Sequence, residues 1–144
     1  MKIKYMIYLL VLNFTSTSCA QESQIITFDV NEISYKTSLS EATNVKDGEI
    51  DFSVKRINES AKSRYQFMSK TLDFLDDYSK KYIDDLDTYL ILGSKTFGND
   101  KTHIYHFFKE GNSNQGISIL VSCPYDLDEK YNEEIFRVVK SAHF

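Results

Sequence analysis

The chain has 144 residues and a mass of 16.7 kDa, with 17 basic and 21 acidic side chains. That length holds one domain of ordinary size, and 42% apolar and 26% charged residues with five Gly and one Pro exclude collagen-like, low-complexity and wholly disordered chains. A net charge of −4 argues against a nucleic-acid partner, because such surfaces need clustered Lys and Arg to displace counterions.

The first twenty residues read as an export signal. Lys2 and Lys4 give a basic start, Tyr5 to Phe14 an apolar run, and Thr15 to Ala20 a small polar end. The apolar run is too short to span a hydrocarbon core, which takes about 20 helical residues, and the three-part order is that of a secretory signal peptide. Two cleavages suit the same place. Ser18 and Ala20 satisfy ordinary signal peptidase, cutting after Ala20. Ser16-Thr17-Ser18-Cys19 resembles a bacterial lipobox, cutting before Cys19 and placing lipid on its sulfur. Lipidation of Cys19 is the preferred expectation, with a soluble periplasmic or secreted protein as the alternative. Residues 21–144 then form a single domain.

Removing residues 1–20 takes away Lys2 and Lys4 and no acid, which leaves −6 over 124 residues. So acidic a body has little attraction for anionic headgroups, and membrane attachment falls to the lipid on Cys19. Cys19 and Cys123 are the two cysteines. Once Cys19 is cut off or acylated, no intramolecular disulfide is available, and Cys123, in an apolar strand, is expected to be a buried small hydrophobe.

Beyond the leader, Gln21 to Val30 is predicted to hold a first strand carrying Ile25, Ile26, Phe28 and Val30, and Ser38 to Gly48 is predicted to be loop. Glu49 to Ile57 alternates, with Ile50, Phe52 and Val54 on one side, as in a half-buried strand. From Asn58 the period changes. Tyr65, Met68, Leu72, Leu75, Tyr78 and Tyr82 recur at three- and four-residue steps and predict a helix of about six turns, opened by Asn58 or Ser60 and braced by Asp76–Lys80 and Asp77–Lys81.

Thr88 to Phe97, Thr102 to Glu110 and Gly116 to Cys123 read as a three-stranded meander with turns at 98–101 and 111–115. Pro124 ends the sheet. Asp126 and Glu129 have the spacing of a capping box for a last helix that turns Tyr131, Ile135, Val138 and Val139 inward. The predicted fold is α+β: an antiparallel sheet of two N-terminal strands plus the meander, packed with one long and one C-terminal helix.

The three strands, the acidic link and the ending Val139-Lys140-Ser141-Ala142-His143-Phe144 resemble the PsbP-like/DcrB-like family of small exported proteins and lipoproteins. The resemblance covers residues 87–144 and implies a binding or accessory module, with no family catalytic residues to carry over.

His103 and His106 lie three apart in a predicted strand, on opposite faces, so they cannot share an ion, and no Cys or carboxylate set completes a zinc shell beside them. The acids Asp73, Asp76, Asp77, Asp84, Asp85 and Asp87 lack the glycine and alternate ligands of a calcium loop, and read as a solvated face with ion pairs. Gly93-Ser94-Lys95-Thr96 lacks the spacing of a P-loop, and no nucleophile elbow occurs. No metal and no cofactor is expected.

The strand Thr102 to Glu110 is apolar on both faces: Ile104 and Phe108 on one, Tyr105 and Phe107 on the other, with Tyr89 and Ile91 joining the second. If helices cover one face, Tyr89, Tyr105 and Phe107 line a groove; if both are covered, these residues are core. The leading expectation for function is a non-enzymatic exported binding or accessory protein of the bacterial envelope, with a membrane anchor on Cys19 and a protein partner. The alternatives are an immunity protein that neutralises a toxin, and a hydrolase without a recognisable motif.

Overall fold

In a computed structural model, residues 25–38, 40–112 and 114–144 are described. The predicted signal peptide, Cys19 and the first residues of the predicted first strand lie outside them. The fold is α+β: a six-stranded antiparallel sheet, a two-stranded hairpin and two helices.

The strands are β1 (Thr27–Val30), β2 (Ile33–Lys36), β3 (Thr43–Asp47), β4 (Ile50–Ile57), β5 (Asp77–Ile83), β6 (Thr88–Phe97), β7 (Asp100–Glu110) and β8 (Gly116–Pro124). The helices are α1 (Ala61–Met68) and α2 (Asp128–Ser141). The large sheet runs β3-β4-β8-β7-β6-β5, and β1 pairs with β2. The meander β6-β7-β8 matches the sequence reading, with Phe97 opposite Asp100 across Gly98-Asn99.

Two hairpins extend the sequence reading: β2 adds a partner to the predicted first strand, and β3 lies where loop was expected. Val30 pairs with Ile33 across Asn31 and Glu32, both at positive φ (49° and 65°), the conformation a two-residue type I′ turn requires. Asp47 pairs with Ile50 across Gly48-Glu49, with Gly48 at φ 59°, a region open to glycine because it has no Cβ.

The long helix does not form. Helix α1 stops at Met68 after eight residues; Ser60 Oγ accepts from Ser63 N–H at its start, and Ser69 N–H bonds Tyr65 O at its end. Leu72 and Leu75 are then buried in a connecting loop, and residues 77–83 form β5 along the free edge of β6. Two forces defeat the helical period. Tyr78, Tyr82 and Ile83 favour a strand, and Gly93 of β6 lets the chain come close: a Cβ there would lie 2.6 Å from Leu75 Cδ1 and 2.7 Å from Asp77 O. The acids expected to pair along a helix pair across strands instead, Asp76 with Lys95 at 3.4 Å and Asp77 with Lys101 at 3.8 Å.

The two sides of the sheet have separate cores. On the first, Val54, Ile119, Phe107 and Leu90 form one cross-strand row and Phe52, Val121 and Tyr105 another. These rows are closed over by Ile135, Val138, Val139 and Ala142, by Ile26, and by Phe28 and Val30 of β1. On the second side, Ala61, Leu72 and Leu75 cover Ile91 and Phe108, with Tyr65, Met68, Tyr89 and Ile104 around them.

The C-terminal helix turns Ile135, Val138 and Val139 inward as expected, with Tyr131 partly buried. Its expected capping box is replaced. A 3-10 turn over Tyr125–Leu127 leads in, α2 starts at Asp128, and no side chain caps it. Among the described residues, no helix is long and apolar enough to cross a membrane.

Candidate functional site

The sheet register separates the sequence candidates. Tyr105 is 1% exposed and Phe107 is fully buried; they stack at 5.9 Å, with Phe136 of α2 edge-on against Phe107. They form core on the α2 side rather than an open groove. Tyr89 pairs with Phe108, and Ile91 with His106, so both lie on the opposite side from Tyr105, contrary to the sequence expectation. Tyr89 stacks on Tyr65 at 4.8 Å and meets Tyr82 at 4.8 Å. The Tyr82 hydroxyl donates to Asp87 Oδ1 at 2.5 Å, and that bond pushes its pKa up to about 12. Cys123 is fully buried, and burial pushes its thiol up to about 11, which suits a packing role.

The two histidines do lie on opposite sides. His103 belongs to a node at the start of α2, where its Nδ1 is 3.0 Å from Asp128 Oδ1 and the same oxygen accepts from the Tyr105 hydroxyl. Tyr125 packs edge-on against His103 at 4.3 Å, and Lys101 sits 4.1 Å over the Tyr125 ring. Asp128 is the first residue of α2, so the node fixes that helix to β7. Burial and the bond to Asp128 raise the Tyr105 pKa, which keeps its hydroxyl a donor.

His106 faces the other side, where the cover is incomplete. Helix α1 and the 69–76 loop lie over β6 and β7, whereas alternate residues of β8 and β4 are left uncovered: Ser118, Leu120 and Ser122, with Ser53 and Lys55 beside them. Leu120 is 41% exposed, while Ile119 next to it is fully buried. Between α1 and this open half runs a groove of about 400 Å³. Lys55, His106 and Ser118 form its floor; Glu59, Arg64 and Met68 are on its α1 side. A shallower depression of about 340 Å³ continues the same side among Asn44, Ser53, Leu120 and Ser122.

Local geometry sets the state of these groups. His106 Nε2 is 2.8 Å from Ser118 Oγ, and its ring lies 4.1 Å from Phe108. Burial, with the Arg64 charge nearby, holds the His106 pKa down to about 4, so the ring is neutral at pH 7. Arg64 Nε is 2.7 Å from Glu59 Oε1. Helix α1 is held in place by Glu110, whose carboxylate accepts from Ala61 N–H at 3.3 Å and Lys62 N–H at 3.1 Å, an anion at the helix start where the peptide dipole favours it. Among the described residues, no group of three or more His, Cys, Asp or Glu could hold a metal ion.

The groove escaped the sequence reading because its residues come from β4, α1, β7 and β8. One signal was present. Residues 55–70 carry five bases, Lys55, Arg56, Lys62, Arg64 and Lys70, against the single acid Glu59, within an acidic chain.

An α+β fold with one closed and one half-open sheet face is thus the class the geometry defines. A crystal structure of LpqN, involved in cell envelope biogenesis of Mycobacterium tuberculosis, is similar over 82% of this chain and 82% of its own, with a TM-score of 0.49 and 8% identity. No family model and no curated protein matches the sequence.

Proposed function

We propose that the chain is an exported, lipid-anchored binding or accessory protein of the bacterial cell envelope, and that the groove between α1 and the open half of the sheet takes its ligand or partner. The observation that carries this reading is the unequal cover of the sheet: Ile119 is fully buried on one side of β8, and Leu120 is 41% exposed on the other. Ligand sites are concave and combine apolar walls with a few placed polar groups, and here Met68 and Phe108 stand beside His106, Ser118 and Arg64.

Binding rather than catalysis is supported by the state of the reactive groups. Cys123 is buried with a raised pKa, and His103 is engaged with Asp128. The envelope and the anchor rest on the leader pattern of residues 1–20 and on Cys19. The family resemblance of residues 87–144 adds support for an accessory role.

Metabolic labelling with a tagged fatty acid tests the anchor. Wild type is expected to take label and sediment with membranes, and Cys19→Ser to lose both properties; label that survives the substitution contradicts the tether. For the groove, a stoichiometric partner recovered from envelope extract is expected to be lost with Ser118→Arg. A partner that persists contradicts this site.

A further inference from the structure

We infer that the groove recognises an anionic group, a carboxylate or a phosphate; this rests on the reading of the groove as the ligand site and names its chemistry. Three observations converge.

The first is a local inversion of charge. The chain carries −4, yet the groove brings the Lys55 and Arg64 side chains together against one carboxylate, Glu59. Lys55 forms no ion pair among the described residues. A concave site with an excess of one sign of charge concentrates ligands of the other sign.

The second is donor geometry. Glu59 meets the guanidinium of Arg64 at Nε, which is one of three nitrogens that carry its five N–H donors, and a planar guanidinium binds carboxylate and phosphate through paired donors. The Ser118 hydroxyl and the His106 ring stand on the floor 2.8 Å from each other and can both donate or accept.

The third is the neighbouring apolar surface. Met68 is partly exposed in the same space, with the buried Ile57 and Phe108 behind it, so a short hydrocarbon attached to the anionic group has an apolar wall to rest on. A volume of about 400 Å³ fits a headgroup-sized ligand.

Histidine NMR on the full chain tests the assignment, because His106 lies in the groove and His103 on the opposite side serves as an internal control. Four probes are titrated: inorganic phosphate, hexyl phosphate, hexanoate and the neutral analogue hexanol. The expected result is saturable movement of the His106 resonances with the anions, little with hexanol, and none at His103. Lys55→Gln/Arg64→Gln is expected to weaken that binding at least about tenfold, as loss of charged hydrogen bonds predicts.

Phosphate binding as tightly as hexyl phosphate assigns a free anion as the ligand; preference for the alkyl forms assigns an amphipathic one, such as a lipid headgroup. Hexanol binding as well as hexanoate, or a double variant with wild-type affinity, overturns the anionic class and leaves the groove a ligand site. Silence of His106 toward every probe also overturns it, and the envelope partner's response to Ser118→Arg then decides the fate of the groove reading separately.

Discussion

The Lys109 ammonium of β7 donates to the carbonyl of Ala142 at 2.7 Å, and also to Val139 O at 2.9 Å and Lys140 O at 3.2 Å. A helix leaves its last carbonyls without partners, and a cation there also meets the negative end of the dipole. One side chain of the sheet thus closes the end of α2. Lys109→Met keeps the aliphatic stem and deletes the donors. It is expected to lower the unfolding free energy by about 2 kcal/mol in urea titration, and a loss under about 0.5 kcal/mol contradicts the role.

His106 makes stability depend on pH in a defined window. Its ordinary pKa is 6.5 and its folded value about 4, so between those values the unfolded chain takes a proton that the folded chain refuses. Stability from this group is present above pH 6.5, falls as pH falls toward 4, and is lost below it, by on the order of 3 kcal/mol. His106→Gln, which can still reach Ser118, is expected to show a shallower decline across that window than wild type. Equal slopes contradict a neutral, buried His106.

Gly93 holds the β5 junction open. With a Cβ 2.6 Å from Leu75 Cδ1 and 2.7 Å from Asp77 O, Gly93→Ala forces β5 or the preceding loop outward, at about 1–3 kcal/mol. Hydrogen exchange reads this locally: residues 77–83 are expected to lose protection while α2 keeps it. Unchanged protection of β5 contradicts the close approach.

Cys123 is predicted to be inert in the folded state. Its thiol is fully buried and held near a pKa of about 11, and the thiolate is the reacting form. In Cys19→Ser protein, reaction with an aromatic disulfide reagent at pH 8 is expected to be slow until denaturant exposes the thiol. A rapid stoichiometric reaction in buffer contradicts the packing.

Much of the fold was legible because β4 announces itself by strict alternation, the meander by its Gly- and Asn-bearing turns, and Ile135, Val138 and Val139 by helical spacing. The segment 58–82 misled because Tyr65, Met68, Leu72, Leu75, Tyr78 and Tyr82 fit a helical period while serving three purposes: one face of a short helix, a buried loop and an edge strand. A free edge on β6 and the gap at Gly93 decide that outcome, and both depend on tertiary pairing. The β1–β2 hairpin was missed because Asn31-Glu32 takes a turn usually marked by Asn-Gly. Opposite faces for His103 and His106 followed from strand parity alone. The face of Tyr89 required the register of β6 on β7, which no local pattern fixes, and the groove required four elements to meet.

The central claim is that one side of the sheet is closed core and the other is half open for binding, and adjacent residues of β8 test it most directly. Unfolding free energies of Ile119→Ala and Leu120→Ala, measured under the same conditions, are expected to differ widely: a loss of about 2–5 kcal/mol for the first and under about 1 kcal/mol for the second. Equal losses, or a larger one at Leu120, would contradict an open face and with it the site proposed there.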